Sequence, residues 1–338
     1  NILMQQSFPL FLAIVLYLLI FWLRSIQGGW DIEIDLFPGL RNEFDKKIIE
    51  YLPSPQVELL SGIILGQNSE LPGKFRLALR DTSTLHIVVA SGQNLSMVAG
   101  FFFLLSGLIK RKLALFLSFS AVLFYVLLTG AQVPILRAAI MVSVGFLAQI
   151  LGKEKISSWV MVLTGGLMLL INPKWLFDLS FQLSFLATFG VVSVAPIFMK
   201  YLKILPGFLS QDLSVSLAAQ IMVFPIIAYN FHQLSLVAIP ANLLVLWTVP
   251  IIMILGAVLL ILSFIFGGLA AIVALALNIL LTYFIYVVEF FAGLPFAWEY
   301  VGEFNGIVWV GYYLVLAGFM LSLSYVKQKD FRRSEKGS

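Results

Sequence analysis

Residues 236–262 read LVAIPANLLVLWTVPIIMILGAVLLIL, a run without one charged side chain. An α-helix needs roughly 20 apolar residues to cross the hydrocarbon of a bilayer, and this run is longer. The composition extends that reading to the whole chain: of 338 residues, 61% are apolar and only 11% are charged, with a mean hydropathy of +1.01. A water-soluble domain covers its surface with about 25% charged residues, so the solvent here is lipid. Hydrocarbon offers no partner to a bare peptide group, and a helix satisfies its own. The long apolar runs therefore predict an all-α fold, a polytopic integral membrane helical bundle of about ten spans.

Outward from that run the chain divides into segments. Residues 1–24 predict a first span: the apolar stretch Phe8–Leu23 ends at Arg24, no Ala-x-Ala-like cleavage site follows, and Trp22 and Trp30 stand where interface anchors belong. Residues 25–85 read as an extracytoplasmic linker, with Phe44, Ile48, Ile49 and Leu52 at helical spacing. Arg41–Leu65 predicts an amphipathic helix lying on the membrane surface, broken at Pro53 and Pro55. Residues 86–326 form the multi-span domain, with spans near 86–109, 113–131, 133–151, 156–171, 176–199, 213–230, 236–262, 268–291 and 307–326. Residues 327–338 are a basic tail.

The short loops orient this scheme. Lys110, Arg111 and Lys112, then Lys153 and Lys155, then Lys200 and Lys203 fall in alternate loops, and the tail adds Lys327, Lys329, Arg332, Arg333 and Lys336. The intervening loops hold Lys174 and turn acidic at Glu299 and Glu303. Basic residues stay on the cytoplasmic side, so both termini are expected in the cytoplasm and residues 25–85 outside.

Composition excludes several chemistries. The chain has no cysteine, hence no disulfide framework, thiolate nucleophile or sulfur-ligated metal, and its 2 histidines cannot make a metal site alone. No base and nucleophile pair stands at recognisable spacing beside His86 or Asp178, so an intramembrane enzyme using either as acid or base is the weakest alternative, and neither an enzyme nor a bound cofactor is expected.

Function must then reside in polar residues inside the spans, where each is costly unless it meets a cavity or a partner. In LHIVVASGQNLSMVAG, His86, Ser91, Gln93, Asn94 and Ser96 interrupt an apolar run; on a helical wheel His86, Gln93 and Asn94 share a sector, and Gly92 permits a kink or close helix approach. Interhelical hydrogen bonding explains any one of them, and a lined cavity explains the group. In LTGAQVPILRAAIM, Arg137 follows Pro134 by about one turn, too deep for easy snorkelling, and Pro134 suggests a broken or re-entrant helix. NPKWLFDLSFQLSFLATFG places Asp178 and Gln182 on one face, with Ser184 in a stripe of small residues. Asp178 is the candidate partner of Arg137, either as a scaffold latch or beside a substrate contact. Gln220 precedes Pro225, and Asn242 stands between Pro240 and Pro250, which suggests a discontinuous helix.

These residues, in this order, carry a resemblance. His86 with Ser91 and Gly92, the Gly130 to Arg137 and Ala138 stretch, Phe181-Gln182-Leu183-Ser184-Phe185, and Gln220 to Pro225 followed by Asn242 resemble the membrane-spanning domain of the ComEC competence-protein family, over approximately residues 41–325. The resemblance implies a channel in the bacterial cytoplasmic (inner) membrane that carries single-stranded DNA into the cell during natural transformation, while the complementary strand is degraded outside. It implies that His86, Ser91, Gly92, Arg137, Asp178, Gln182 and Ser184 belong to the family's channel signature. Gln93, Asn94, Gln220 and Asn242 join them as candidates for the DNA path. Asn94 departs from the family, many of whose members have a second histidine there. Full-length relatives often add an external nucleic-acid-binding barrel and a metallo-β-lactamase-like nuclease domain. Neither pattern occurs here, so a separate DNA receptor, a nuclease and a cytoplasmic translocation motor are the expected partners beside DNA and the bilayer. Oligomerisation is left open.

A polyanion crossing low dielectric needs cationic or hydrogen-bonding walls and gains from stacking surfaces; Arg137 and the Gln, Asn and Ser set supply some of these. Acidic residues outnumber basic ones over 25–85, which argues against DNA capture by that segment. The alternative reading is a secondary transporter or channel for a small anion, with Arg137 as counter-ion. Inverted repeats would favour it, and the two halves show no clear repeat.

Overall fold

The computed structural model describes residues 2–30, 35–67, 71–88, 92–104, 107, 109–130, 132–150, 157–303 and 305–335. Apart from a small ribbon, the fold is helical. In chain order the helices are α1 (Ile2–Gln27), α2 (Pro38–Tyr51), α3 (Gln56–Leu65), α4 (Gly73–Asp81), α5 (Leu85–Val88), α6 (Gly92–Leu104), α7 (Arg111–Thr129), α8 (Val133–Ile150), α9 (Ser157–Ile171), α10 (Leu179–Phe189), α11 (Ala195–Tyr201), α12 (Gly207–Phe231), α13 (Ala238–Val245), α14 (Thr248–Ile265), α15 (Gly267–Ala292) and α16 (Gly306–Glu335). Strands β1 (Gln233–Ser235) and β2 (Trp298–Tyr300) pair antiparallel, Leu234 opposite Glu299, and tie the loop after α12 to the loop after α15. Among the described residues, five helical stretches are long and apolar enough to cross a membrane: Lys112–Thr129, Leu179–Tyr201, Leu209–Phe231, Thr248–Ile265 and Gly267–Ala292.

The proline-bracketed run is discontinuous, as expected. α13 stops at Val245 and α14 begins at Thr248. Pro250 has no N–H to give the carbonyl of Leu246, so the ladder breaks there, while proline in a first helical turn costs little. The amide of Leu246 still reaches the carbonyl of Asn242 at 2.8 Å, and the Thr248 hydroxyl donates to the carbonyl of Val245 at 2.7 Å. Pro134 behaves differently from the expectation of a broken helix, since it lies at the second position of α8 and opens that helix. Pro225 leaves α12 continuous.

The stretch 41–65 is not one surface helix. α2 does present an apolar stripe of Leu40, Phe44, Ile48 and Tyr51 to the core. After the break at Pro53 and Pro55, however, α3 is buried on every side, with Leu59, Leu60, Ile63 and Leu65 inaccessible. Its sequence QVELLSGIIL has apolar residues around its whole circumference, and such a helix belongs inside a bundle. α3 packs among α2, α5, α7, α14 and α15. α14 and α15 form the most extensive helix pair, and with α3, α6 and α7 they build the main core.

A second, smaller core joins α10, α11, α12 and α16 through Val194, Ala195, Ala218 and Met222. Here the helix between α10 and α11 widens into a π turn over Gly190–Val194. A Cβ on Gly190 would stand 2.5 Å from the Ala218 carbonyl oxygen, so only glycine lets α10 and α12 approach this closely. α8 packs against α6 and α7 on one side and α9 and α10 on the other, which places it between the two cores. α1 is fastened to α9: the Arg24 guanidinium donates to the carbonyls of Leu170 (3.1 Å) and Ile171 (2.8 Å) and lies 4.2 Å from the Trp30 ring centroid. A cation there complements the negative end of α9.

Candidate functional site

The seam between α8 and α10 holds Arg137, whose side chain lies one turn into α8 and is 8% exposed. Nε donates to Ser184 Oγ at 2.7 Å and Nη1 to Thr188 Oγ1 at 2.6 Å, with Met141 Sδ 3.3 Å from Nη1. The Phe185 ring centroid is 5.9 Å from the guanidinium carbon. Ser184 and Thr188 are one helical turn apart, so α10 presents both hydroxyls on one face. The Thr188 hydroxyl keeps its own proton occupied on the Ser184 carbonyl at 2.8 Å, leaving its lone pairs for the arginine.

Gly92 of α6 lies against the other side of this group. A Cβ at that position would lie 2.6 Å from Arg137 Nη2 and 3.1 Å from the Ala138 Cβ. Any side chain there would push the guanidinium away, so the glycine is what lets α6 meet the arginine. The structure thus gathers Gly92, Arg137 and Ser184 into one cluster and adds Thr188, Met141 and Phe185. The reading of the sequence missed Thr188, whose signal was its spacing of one turn from Ser184.

Asp178 is not the partner of Arg137. Its carboxylate caps α10, with Oδ1 accepting from the Phe181 amide at 2.8 Å, the usual role of an aspartate at a helix start. Gln182 is also used locally, its Nε2 donating to the Leu176 carbonyl at 2.9 Å. These contacts close the turn Pro173–Phe177 onto α10.

Asn94, 1% exposed, faces α3. Its Nδ2 donates to the Ile63 carbonyl at 3.2 Å, and the Tyr125 hydroxyl donates to the same oxygen at 3.0 Å. The last carbonyls of a helix lack intrahelical partners, and these donors from α6 and α7 supply one for α3. His86 sits on α5; its Nδ1 is 2.8 Å from the Ser83 carbonyl and the residue is exposed. Asn242 is 6% exposed on α13, and its Oδ1 has no hydrogen-bond partner among the described residues. Gln220 is half-buried on α12. Ser91 lies outside the described residues, as does the side chain of Gln93. No group of histidine and carboxylate side chains suited to a metal ion occurs among the described residues.

Comparison with known proteins bears on this arrangement. The family described as Competence protein matches residues 63–325, a range that contains Gly92, Arg137, Ser184 and the smaller core. ComE operon protein 3 of Bacillus subtilis (strain 168) is 33% identical over 196 residues, covering 57% of this chain and 25% of that protein. An uncharacterized protein, YcaI, of Escherichia coli (strain K12) is 26% identical over 219 residues, covering 60% of this chain and 29% of that protein. The chain therefore spans less than a third of the length of either relative in these matches. No solved structure matches it.

Proposed function

The chain belongs to the competence protein family, and we propose that it is the module that passes single-stranded DNA across the bacterial cytoplasmic membrane during natural transformation. The observation that carries this reading is Arg137: a guanidinium buried within the family's domain and held by neutral groups. Ionisable residues within a membrane mark substrate and ion pathways among other roles, and a guanidinium is suited to a polyanion such as DNA.

In this reading about ten spans cross the bilayer, with both termini in the cytoplasm on the side of the basic loops. The path runs past the seam of α6, α8 and α10. The protein performs no covalent chemistry; a DNA receptor, a nuclease and a cytoplasmic motor act with it. Deleting the gene in a transformable host and following labelled DNA into a nuclease-resistant pool tests the reading. Uptake should fall to background, and unchanged uptake would sink it.

A further inference from the structure

Over residues 25–85 acidic side chains outnumber basic ones, but the fold separates the two kinds. Asp35 is paired with Arg41 and Glu50 with Lys47, Asp45 and Glu58 accept from the hydroxyls of Ser61 and Ser54, and Glu43 on α2 is left without a partner among the described residues. Asp81 ends α4, where its Oδ1 accepts from Arg80 Nη2 at 2.9 Å and from Gln233 Nε2 of β1 at 3.0 Å. α4 spends its apolar face on the protein: Phe75 and Leu79 are buried, and the helix packs on α15 and α5. Its other face carries Lys74, Arg76 and Arg80, all exposed. Lys74 and Arg76 have no ion-pair or side-chain hydrogen-bond partner among the described residues. Successive strand residues point to opposite faces. Gln233 reaches α4, so Leu234 and Glu299 opposite it point the other way, and the acid of the ribbon is turned from the basic face.

We propose that the outward face of α4 is a docking surface for the phosphates of a DNA strand, beside the ribbon that ties the loops after α12 and α15. Two free cations, with Arg80 shared by Asp81, stand within one helix of 9 residues and raise the local concentration of a polyanion. Arg76 and Arg80 are one turn apart, about 5–6 Å between Cβ atoms, close to the step from one phosphate to the next on an extended strand. The face is open to solvent, so phosphates reach it without displacing packed groups. A membrane surface fits less well. A helix lying on lipid buries its apolar face there, and α4 has committed that face to α15, with Leu77 its exposed apolar residue. Choosing DNA as the polyanion rests on the channel reading above. Contacts to phosphate carry no sequence information, so a strand docks here whatever its bases.

The test uses the full chain in phosphatidylcholine nanodiscs. The probes are a fluorescent thymidine oligonucleotide with its ordinary backbone and the same oligonucleotide with an uncharged methylphosphonate backbone. Lys74→Gln combined with Arg76→Gln should weaken the ordinary strand about tenfold and leave the uncharged one unchanged. The slope of log affinity against log salt should fall by about 1.4, two phosphates at roughly 0.7 each. The chain has no cysteine, so Arg76→Cys gives a second arm in one folded protein: a cationic methanethiosulfonate should restore strand affinity and an anionic one lower it further. Parental affinity and slope in the double variant, an equal response to the two reagents, or no binding of the ordinary strand by the parent overturns the surface. Unchanged strand binding with a several-fold loss of phosphatidylglycerol retained in native mass spectrometry gives the face to lipid and overturns it too. Uptake separates this surface from the channel reading. The double variant, at parental levels in the membrane, should take up labelled DNA several-fold more slowly; normal uptake there with none in the gene deletion removes the docking surface and leaves the channel standing.

Discussion

Tyr312 on α16 donates its hydroxyl proton at 3.0 Å to the carbonyl of Ile221, the oxygen that Pro225 leaves without its helical partner. In a bilayer a carbonyl freed by proline must be satisfied by a neighbouring helix, and the adjacent Tyr313 reinforces the contact by donating to the Met222 carbonyl at 2.8 Å. Tyr312→Phe should lower stability by about 1 kcal/mol, read as an earlier midpoint when the protein is unfolded by denaturing detergent. Adding Pro225→Ala, which restores the ladder, should recover most of that loss. A full-sized penalty in the double variant would refute the pairing.

Arg137 and Asp178 serve different neighbours, so their substitutions should add. Asp178→Ala removes an N-cap worth about 1 kcal/mol, and the cost should be the same in the parent and in Arg137→Gln. A double-mutant cycle should give a coupling below about 0.5 kcal/mol, whereas Arg137 with Ser184 should exceed that. Strong coupling between Arg137 and Asp178 would reinstate an ion pair as the link between α8 and α10.

Asn94→Ala withdraws a donor from the Ile63 carbonyl, leaving the Tyr125 hydroxyl there alone. The expected loss is about 1–3 kcal/mol, with a larger drop when Tyr125→Phe is combined with it. Protease accessibility of the 52–55 and 66–70 connections around α3 should rise in parallel, and unchanged cleavage would separate Asn94 from the anchoring of α3.

Because the chain contains no cysteine, single introduced cysteines report its topology without background. Ser338→Cys should react with an impermeant maleimide only after the membrane is opened, and Glu299→Cys in intact spheroplasts. The reverse pattern would invert the orientation drawn from the loop charges.

The site was legible in part. Gly92, Arg137 and Ser184 stood out as polar or small residues in apolar surroundings, and the structure joins them. Thr188 did not, because a threonine among apolar residues in a helix most often bonds its own backbone, as this one also does toward Ser184. Asp178 drew the opposite error: a lone carboxylate near a lone arginine in sequence order suggested a pair, yet the carboxylate is satisfied by an amide of its own helix.

What the sequence determined by itself is the all-helical membrane character and the break between Pro240 and Pro250, together with the approximate positions of the helices. Those properties are local, since apolar run length and a missing proline N–H act wherever the chain goes. What only the tertiary structure decided is who meets whom: that α3 is a core helix, that Arg137 reaches hydroxyls on α10, and that Gly92 rather than an acid lies against its remaining edge. In lipid an apolar surface is equally at home against hydrocarbon or protein, so hydrophobic pattern cannot tell which helix face is buried. Close packing and the few polar contacts make that choice, and they exist only once the helices have assembled.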